Sequence, residues 1–123
     1  MSTPTPRGLL LCDDLIFTSR ITGTAKALGL AMSAARDVAG LLRMAWQDPP
    51  RCVILDLQHP QLDLVALLAE LRSIAPMRVL GYGSHVDAET LHAARVAGCD
   101  PVLPRSRFVE DLPTALSGWL GAG

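Results

Sequence analysis

The sequence predicts an α/β domain: parallel strands alternate with helices, and helices cover both faces of the sheet. Three observations carry that reading. Short unbroken apolar runs, such as Leu9-Leu10-Leu11 and Cys52-Val53-Ile54-Leu55, are the mark of strands buried on both faces. Between them lie longer stretches whose apolar residues recur at helical spacing. An Asp able to cap, or a Gly or Pro able to break, stands at most of the junctions, so strand and helix alternate along the chain.

Taken in order, residues 8–12 form the first expected strand, which runs into Asp13-Asp14. A first helix is expected from Phe17 to Leu28, with Ile21, Ala25 and Leu28 on one face and Gly29 as its stop. Residues 30–34 make a weak second strand. Asp37 is placed to cap a helix from Val38 to about Trp46, which Asp48-Pro49-Pro50 then breaks. Cys52 to Leu55 is the clearest strand and ends at Asp56. Past a loop containing Pro60, Asp63 is a cap for an amphipathic helix from Leu64 to Ile74, and Pro76 ends it. Met77 to Tyr82 is a fourth strand and residues 83–86 a loop. A fourth helix is expected from Asp87 to Ala97, closed by Gly98. Val102-Leu103 is a short fifth strand, and a last helix is sought within 108–120. Proline is tolerated in a first turn, so Pro113 moves that helix's expected start towards Asp111. Residues 1–7 read as a Pro-rich lead-in and 8–123 as a single domain.

Composition narrows the function. The chain has 123 residues, half of them hydrophobic, which supports a packed core and excludes disorder. Its mean hydropathy is +0.31. Lys plus Arg number 11 against 12 for Asp plus Glu, so no basic excess marks a nucleic-acid surface and no nucleic-acid partner is expected. No apolar run approaches the roughly 20 residues of a membrane span, and the N-terminus lacks the pattern of a signal peptide. A cytoplasmic domain without membrane contact is therefore expected. Cys12, Cys52 and Cys99 lack metal-type spacing and read as buried, reduced thiols. The single lysine is Lys26.

In doubly wound sheets, ligands bind beyond the carboxyl ends of the strands, where strand order reverses. In the flavodoxin-like order 2-1-3-4-5, strands one and three are neighbours at that point. The order would bring Asp13, Asp14 and Asp56 together. Clustered carboxylates repel one another unless a cation is present; Mg²⁺, which prefers carboxylate oxygens and keeps several waters, is the natural counterion. A carboxylate beside such an ion is also a nucleophile towards phosphorus. The plainer alternative is that these acids only solvate loops and cap helices.

On these residues the chain resembles the receiver-domain (CheY-like) family of two-component response regulators. The matching segments are Leu9-Leu-Leu-Cys-Asp-Asp14 with Arg20-Ile21 behind it, Val53-Ile-Leu-Asp-Leu57 followed by Pro60, and the Ala97-Gly98 turn. The resemblance spans about Gly8 to Leu120. It implies that Asp56 accepts a phosphoryl group and that Asp13, Asp14 and Asp56 hold Mg²⁺ with the carbonyl of Gln58. The implied partner is a histidine kinase or phosphotransfer protein, acting on a protein that is a signalling acceptor and not an enzyme.

The departures from the family pattern are also specific. The family's Thr or Ser at the end of strand four aligns with Gly83, with Ser84 one place late. Its lysine after strand five is Arg105, the proline after that lysine is Ser106, its aromatic switch residue is Val102, and the usual glycine of the strand-three loop is Leu64. Without a hydroxyl to pull and an aromatic to rotate, a weak structural response to phosphorylation is expected. Arg105 is expected to point at the acidic pocket and to pair with Asp56, which would lower the pKa of that carboxyl. His59 reads as a solvent-exposed loop residue, His85 and His92 as surface residues, and Tyr82 as a core or interface residue.

Three functions stay open at this level: a phosphoacceptor; a pseudo-receiver that keeps the fold as a phosphorylation-independent interaction module; and a small-ligand module at the same crevice. No DNA-binding element is seen after the last helix. Output through contacts with a downstream protein is thus expected, from a monomer or weak dimer, unless the chain belongs to a longer one.

Overall fold

A computed structural model describes residues 7–121. Five parallel strands, β1 (Arg7–Leu11), β2 (Ala31–Ala35), β3 (Cys52–Asp56), β4 (Arg78–Gly83) and β5 (Val102–Pro104), form one sheet in the order β2-β1-β3-β4-β5. They alternate with α1 (Leu15–Ala27), α2 (Val38–Gln47), α3 (Leu64–Ile74), α4 (Ala88–Ala97) and α5 (Arg105–Trp119). The expected fold class and strand order are those found.

The period-two alternation of strand side chains divides the core in two. Leu9, Leu11, Val53 and Leu55 point to the face covered by Leu41 of α2, Leu67, Leu68 and Leu71 of α3, and Leu91 of α4. Leu10, Ile54, Leu80 and Tyr82 point to the other face, against Phe17 and Ile21 of α1 and Phe108, Leu112 and Leu116 of α5. Every residue of β3 is buried, which is why its sequence reads as an apolar run up to Asp56. The chain has two Phe, two Trp and one Tyr. Four of these five gather on the α1/α5 face, where Tyr82 stacks on Phe108 at 4.7 Å between centroids and Phe108 on Trp119 at 5.6 Å.

Most boundaries fall within a residue of the sequence reading, and the differences at β1, α1 and α5 have a physical cause. Arg7 is not lead-in: it belongs to β1 and pairs with Ala31 of β2. Helix α1 starts at Leu15, two residues early, because Asp14 caps it. Helix α5 starts at Arg105 with Pro113 inside it. An interior proline costs about 3 kcal/mol. Pro113 lies on the exposed side of α5, where water can serve the carbonyl it leaves unpaired. Burial of Phe108, Leu112 and Leu116 on the other side contributes roughly 1.5–3 kcal/mol each and outweighs that loss.

Among the described residues no helix is long and apolar enough to cross a membrane. Cys12, Cys52 and Cys99 are buried and unpaired. Burial pushes the Cys52 thiol up to about 12, as suits a core residue with no thiolate chemistry.

Candidate functional site

The acidic residues sit where the strands end. Asp56 closes β3 and is 8% exposed. Its Oδ1 accepts a hydrogen bond from the Gln58 amide at 2.9 Å, and its carbonyl accepts one from the His59 amide at 3.0 Å. Burial raises the pKa of the Asp56 carboxyl, and the negative charge of Asp13 adds to that; the Gln58 amide and the charge of Arg105 oppose it. The expected lowering by a direct Arg105 partner is not found.

Arg105 does face the crevice, but its partner is Asp14. Its Nη2 lies 3.4 Å from Asp14 Oδ2. Its guanidinium carbon sits 3.9 Å from the centroid of the Phe17 ring, a cation–π contact. The other oxygen of Asp14 caps α1, accepting from the amides of Ile16 at 3.0 Å and Phe17 at 3.1 Å. The Phe17 amide, then the Ile16 amide and Arg105, hold the Asp14 carboxyl below the usual range.

The three carboxylates therefore do not converge as expected. Among the described residues no group of three or more His, Cys, Asp or Glu side chains is placed to hold a metal ion. Asp14 spends one oxygen on the cap of α1 and the other on Arg105. Asp13, which is exposed, and Asp56 remain. Mg²⁺ is commonly held by one or two carboxylates and several waters, so this pair with the Gln58 carbonyl fits the ion chemically.

The Gln58 side chain has a role that the sequence did not announce. Its Oε1 accepts a hydrogen bond from the Ser84 amide at 2.8 Å, and its Nε2 donates to Asp87 Oδ2 at 3.0 Å. Asp87 is the cap of α4, its Oδ1 accepting from the Thr90 amide at 3.2 Å. Gly83 makes the arrangement possible: a Cβ there would stand 2.5 Å from Gln58 Oε1. Val102 is buried on the α2/α3/α4 face, and Ser106 lies at the rim of the crevice.

His59 is corrected from exposed to buried, at 6%. Its Nε2 lies 2.7 Å from the Arg36 carbonyl and its Nδ1 accepts from the Gln61 amide at 3.2 Å. Those partners assign the proton to Nε2, so His59 ties the β3–α3 loop to the end of β2. His85 and His92 are exposed as expected, and Tyr82 is core.

Beside Asp56 opens a crevice of about 700 Å³ between α1, β4 and α5. Phe17, Tyr82 and Val109 supply its apolar walls; Arg20, Arg105, Ser84 and Ser106 supply its polar groups. Sequence reasoning did not find Phe17 or Asp87 in the site. The only local signal was Asp87 as a helix start.

No family model matches the chain. It is similar to the transcriptional regulatory protein PrrA of Mycobacterium tuberculosis, at 30% identity over 110 residues, and to PrrA of Mycobacterium leprae, at 31%. These alignments cover 87% of this chain but 46% of each relative, so the chain spans about half the length of the curated relatives it matches. Among solved structures, it superposes on the receiver domain of Francisella response regulator 1452 with a TM-score of 0.80 at 19% identity, covering 95% of this chain and 98% of that one. On the receiver domain of NtrX from Brucella abortus the TM-score is 0.78 at 24% identity, covering 94% and 99%.

The chain has the fold of response-regulator receiver domains. In this fold Asp56 stands at the carboxyl end of β3. Gly83 ends β4, Val102 begins β5 and Arg105 begins α5, at the places where the resemblance led one to expect a hydroxyl, an aromatic and a lysine. Gly83 and Arg105 line the same crevice. Gly83 admits Gln58, and Arg105 takes Asp14 out of the carboxylate cluster.

Proposed function

We propose that this receiver domain accepts a phosphoryl group on Asp56 from the phosphohistidine of a histidine kinase or phosphotransfer protein, with Mg²⁺. One observation carries the proposal: the hydrogen bonds to the Asp56 carboxylate engage Oδ1 alone, which leaves Oδ2 for the crevice. In the transfer, Oδ2 attacks phosphorus, an O–P bond forms and the P–N bond breaks. The electron pair returns to the imidazole nitrogen, and the product is an acyl phosphate.

The chain's own residues support the step in distinct ways. The Gln58 amide fixes one carboxylate oxygen and so orients the other. Burial at the end of β3 strips water from the nucleophile. Arg105, held over Phe17, sets a positive charge at the mouth of the crevice. Mg²⁺, when bound, neutralises charge between the carboxylate and the phosphoryl oxygens; Asp13, Asp56 and the Gln58 carbonyl would hold it. The domain acts as a stoichiometric acceptor and not as a turnover enzyme, on the cytoplasmic side where such donors work.

The test is incubation with Mg²⁺ and acetyl phosphate followed by mass spectrometry. A single added phosphoryl group on Asp56, absent in Asp56→Asn, is the expected result. A second reading, a pseudo-receiver that binds a protein partner without phosphorylation, is favoured by the internal satisfaction of Asp14 and of the Ser84 amide. No added mass on Asp56 would select it.

A further inference from the structure

We infer that the Gln58 side chain is a latch on the phosphoacceptor crevice, occupying the Ser84 amide that a phosphoryl group on Asp56 would need. The inference rests on the reading of Asp56 as acceptor and adds a control element to it.

A phosphoryl group carries close to two negative charges and seeks donors. Strand β4 ends at Gly83, which has no hydroxyl, so the first donor beyond the strand is the Ser84 amide. Ser84 and Asp56 line the same crevice. That amide is not free: Gln58 Oε1 accepts from it at 2.8 Å. The amide oxygen of Gln58 thus stands where an anionic oxygen would be received. The other end of the side chain, Nε2, is anchored to Asp87 Oδ2 at 3.0 Å. Gln58 thereby spans from the loop after Asp56 to the cap of α4.

Two features mark the latch as movable. Gln58 is an exposed side chain, so solvent can take over its hydrogen bonds when it swings out. Its seat exists only because Gly83 lacks a Cβ. A phosphoryl group arriving on Asp56 competes with Gln58 for the Ser84 amide, and its displacement also frees Asp87. The structural response is then confined to the β4–α4 loop and the first turn of α4.

Two unrelated substitutions should open the latch. Gln58→Ala removes the side chain but keeps the backbone amide that orients Asp56. Gly83→Ala keeps Gln58 but evicts its tip. The added Cβ would meet Gln58 Oε1 at 2.5 Å, whereas Leu91 Cδ2 at 3.3 Å has to give by only a few tenths of an ångström and Leu57 Cβ at 3.5 Å is in ordinary contact. The two variants and the parent are compared by amide hydrogen exchange at Ser84 and by the rate of phosphorylation of Asp56 from acetyl phosphate with Mg²⁺. Circular dichroism confirms that each is folded. Exchange at Ser84 should quicken in both variants, and phosphorylation should quicken in both by about tenfold, the worth of one to two ordinary hydrogen bonds. Phosphorylation confined to the two variants would support the latch still more directly. Equal phosphorylation rates in all three proteins would overturn the latch and leave the acceptor reading standing. No phosphorylation in any of them would overturn both. Unchanged Ser84 exchange in the variants would show that Gln58 does not hold that amide and would also overturn the latch.

Discussion

The guanidinium of Arg105 lies 3.9 Å from the centre of the Phe17 ring while its Nη2 pairs with Asp14 at 3.4 Å. The start of α5 is thereby fastened to the start of α1 across the mouth of the crevice. The same two contacts explain why Arg105 does not reach into the carboxylate cluster, since its flat group is used on both its face and its edge.

Loss of that contact should therefore be felt at the site more than in stability. Both partners of the ion pair are about half exposed, and such pairs contribute about 0.2–1 kcal/mol. Arg105→Ala is expected to cost no more than about 1–2 kcal/mol, ion pair and cation–π contact together. It also frees Asp14 Oδ2 and should tighten Mg²⁺ binding. Calorimetric titration of Mg²⁺ into both proteins checks this, and equal affinities would remove Arg105 from any role at the site.

The divalent ion should depend on Asp13. With Mg²⁺ at ten times its Kd, binding to the folded state alone adds about 1.4 kcal/mol of stability. That increment is expected in the parent and should vanish in Asp13→Asn. It should persist in Asp14→Asn, because Asp14 is turned to its own helix. A melting curve of Asp13→Asn that responds to Mg²⁺ like the parent would refute the assignment.

Asp56 should make stability depend on pH in a definite sense. Its folded pKa is raised above the ordinary carboxylate value, chiefly by burial. The folded state therefore holds the proton more tightly than the unfolded state does. Stability from this group is full below the unfolded value and is lost as pH rises through the folded one. Asp56→Asn should consequently melt higher than the parent at pH 7, with the difference shrinking as pH falls towards 4. A difference in melting temperature that stays constant over that range would contradict this.

The Tyr82 hydroxyl is buried without a hydrogen-bond partner among the described residues, with the Cys12 thiol beside it. An unmet donor in the core costs about 1–3 kcal/mol. Tyr82→Phe keeps the stacking on Phe108 and should stabilise the domain by roughly 1 kcal/mol. Phe108→Ala, which removes the ring that both Tyr82 and Trp119 stack on, should cost about 3–5 kcal/mol. Urea unfolding of the two variants reads both values, and a destabilised Tyr82→Phe would mean that the hydroxyl has a partner after all.

The alternation of β3's apolar run with the spaced leucines of α3 was enough to set the fold class, and the run's end placed Asp56 on the carboxyl edge. Strand and helix periods report burial directly, and burial on both faces leaves few arrangements for five strands and five helices. The capping Asp residues at 37 and 63 were legible for the same reason, being local bonds between a side chain and an amide three residues on. The start of α5 was not, because the proline rule is local whereas the burial that overrides it is tertiary.

The partners of the site's side chains belong wholly to the tertiary structure. Asp14 had an amide cluster and a cation within reach and takes both, leaving the carboxylate group that its position in sequence suggested. Arg105 had Asp56 and Asp14 as possible mates; the Phe17 ring, 88 positions away in number, steers it to the second. His59 looks like a loop residue until the Arg36 carbonyl is brought against it. Gln58 is one polar residue among several until Gly83 opens a place for its amide. The chain's periodicity decides where the backbone goes. Which donor meets which acceptor at the ends of the strands is a competition over a few ångströms between segments far apart in sequence, and only the folded chain holds that competition.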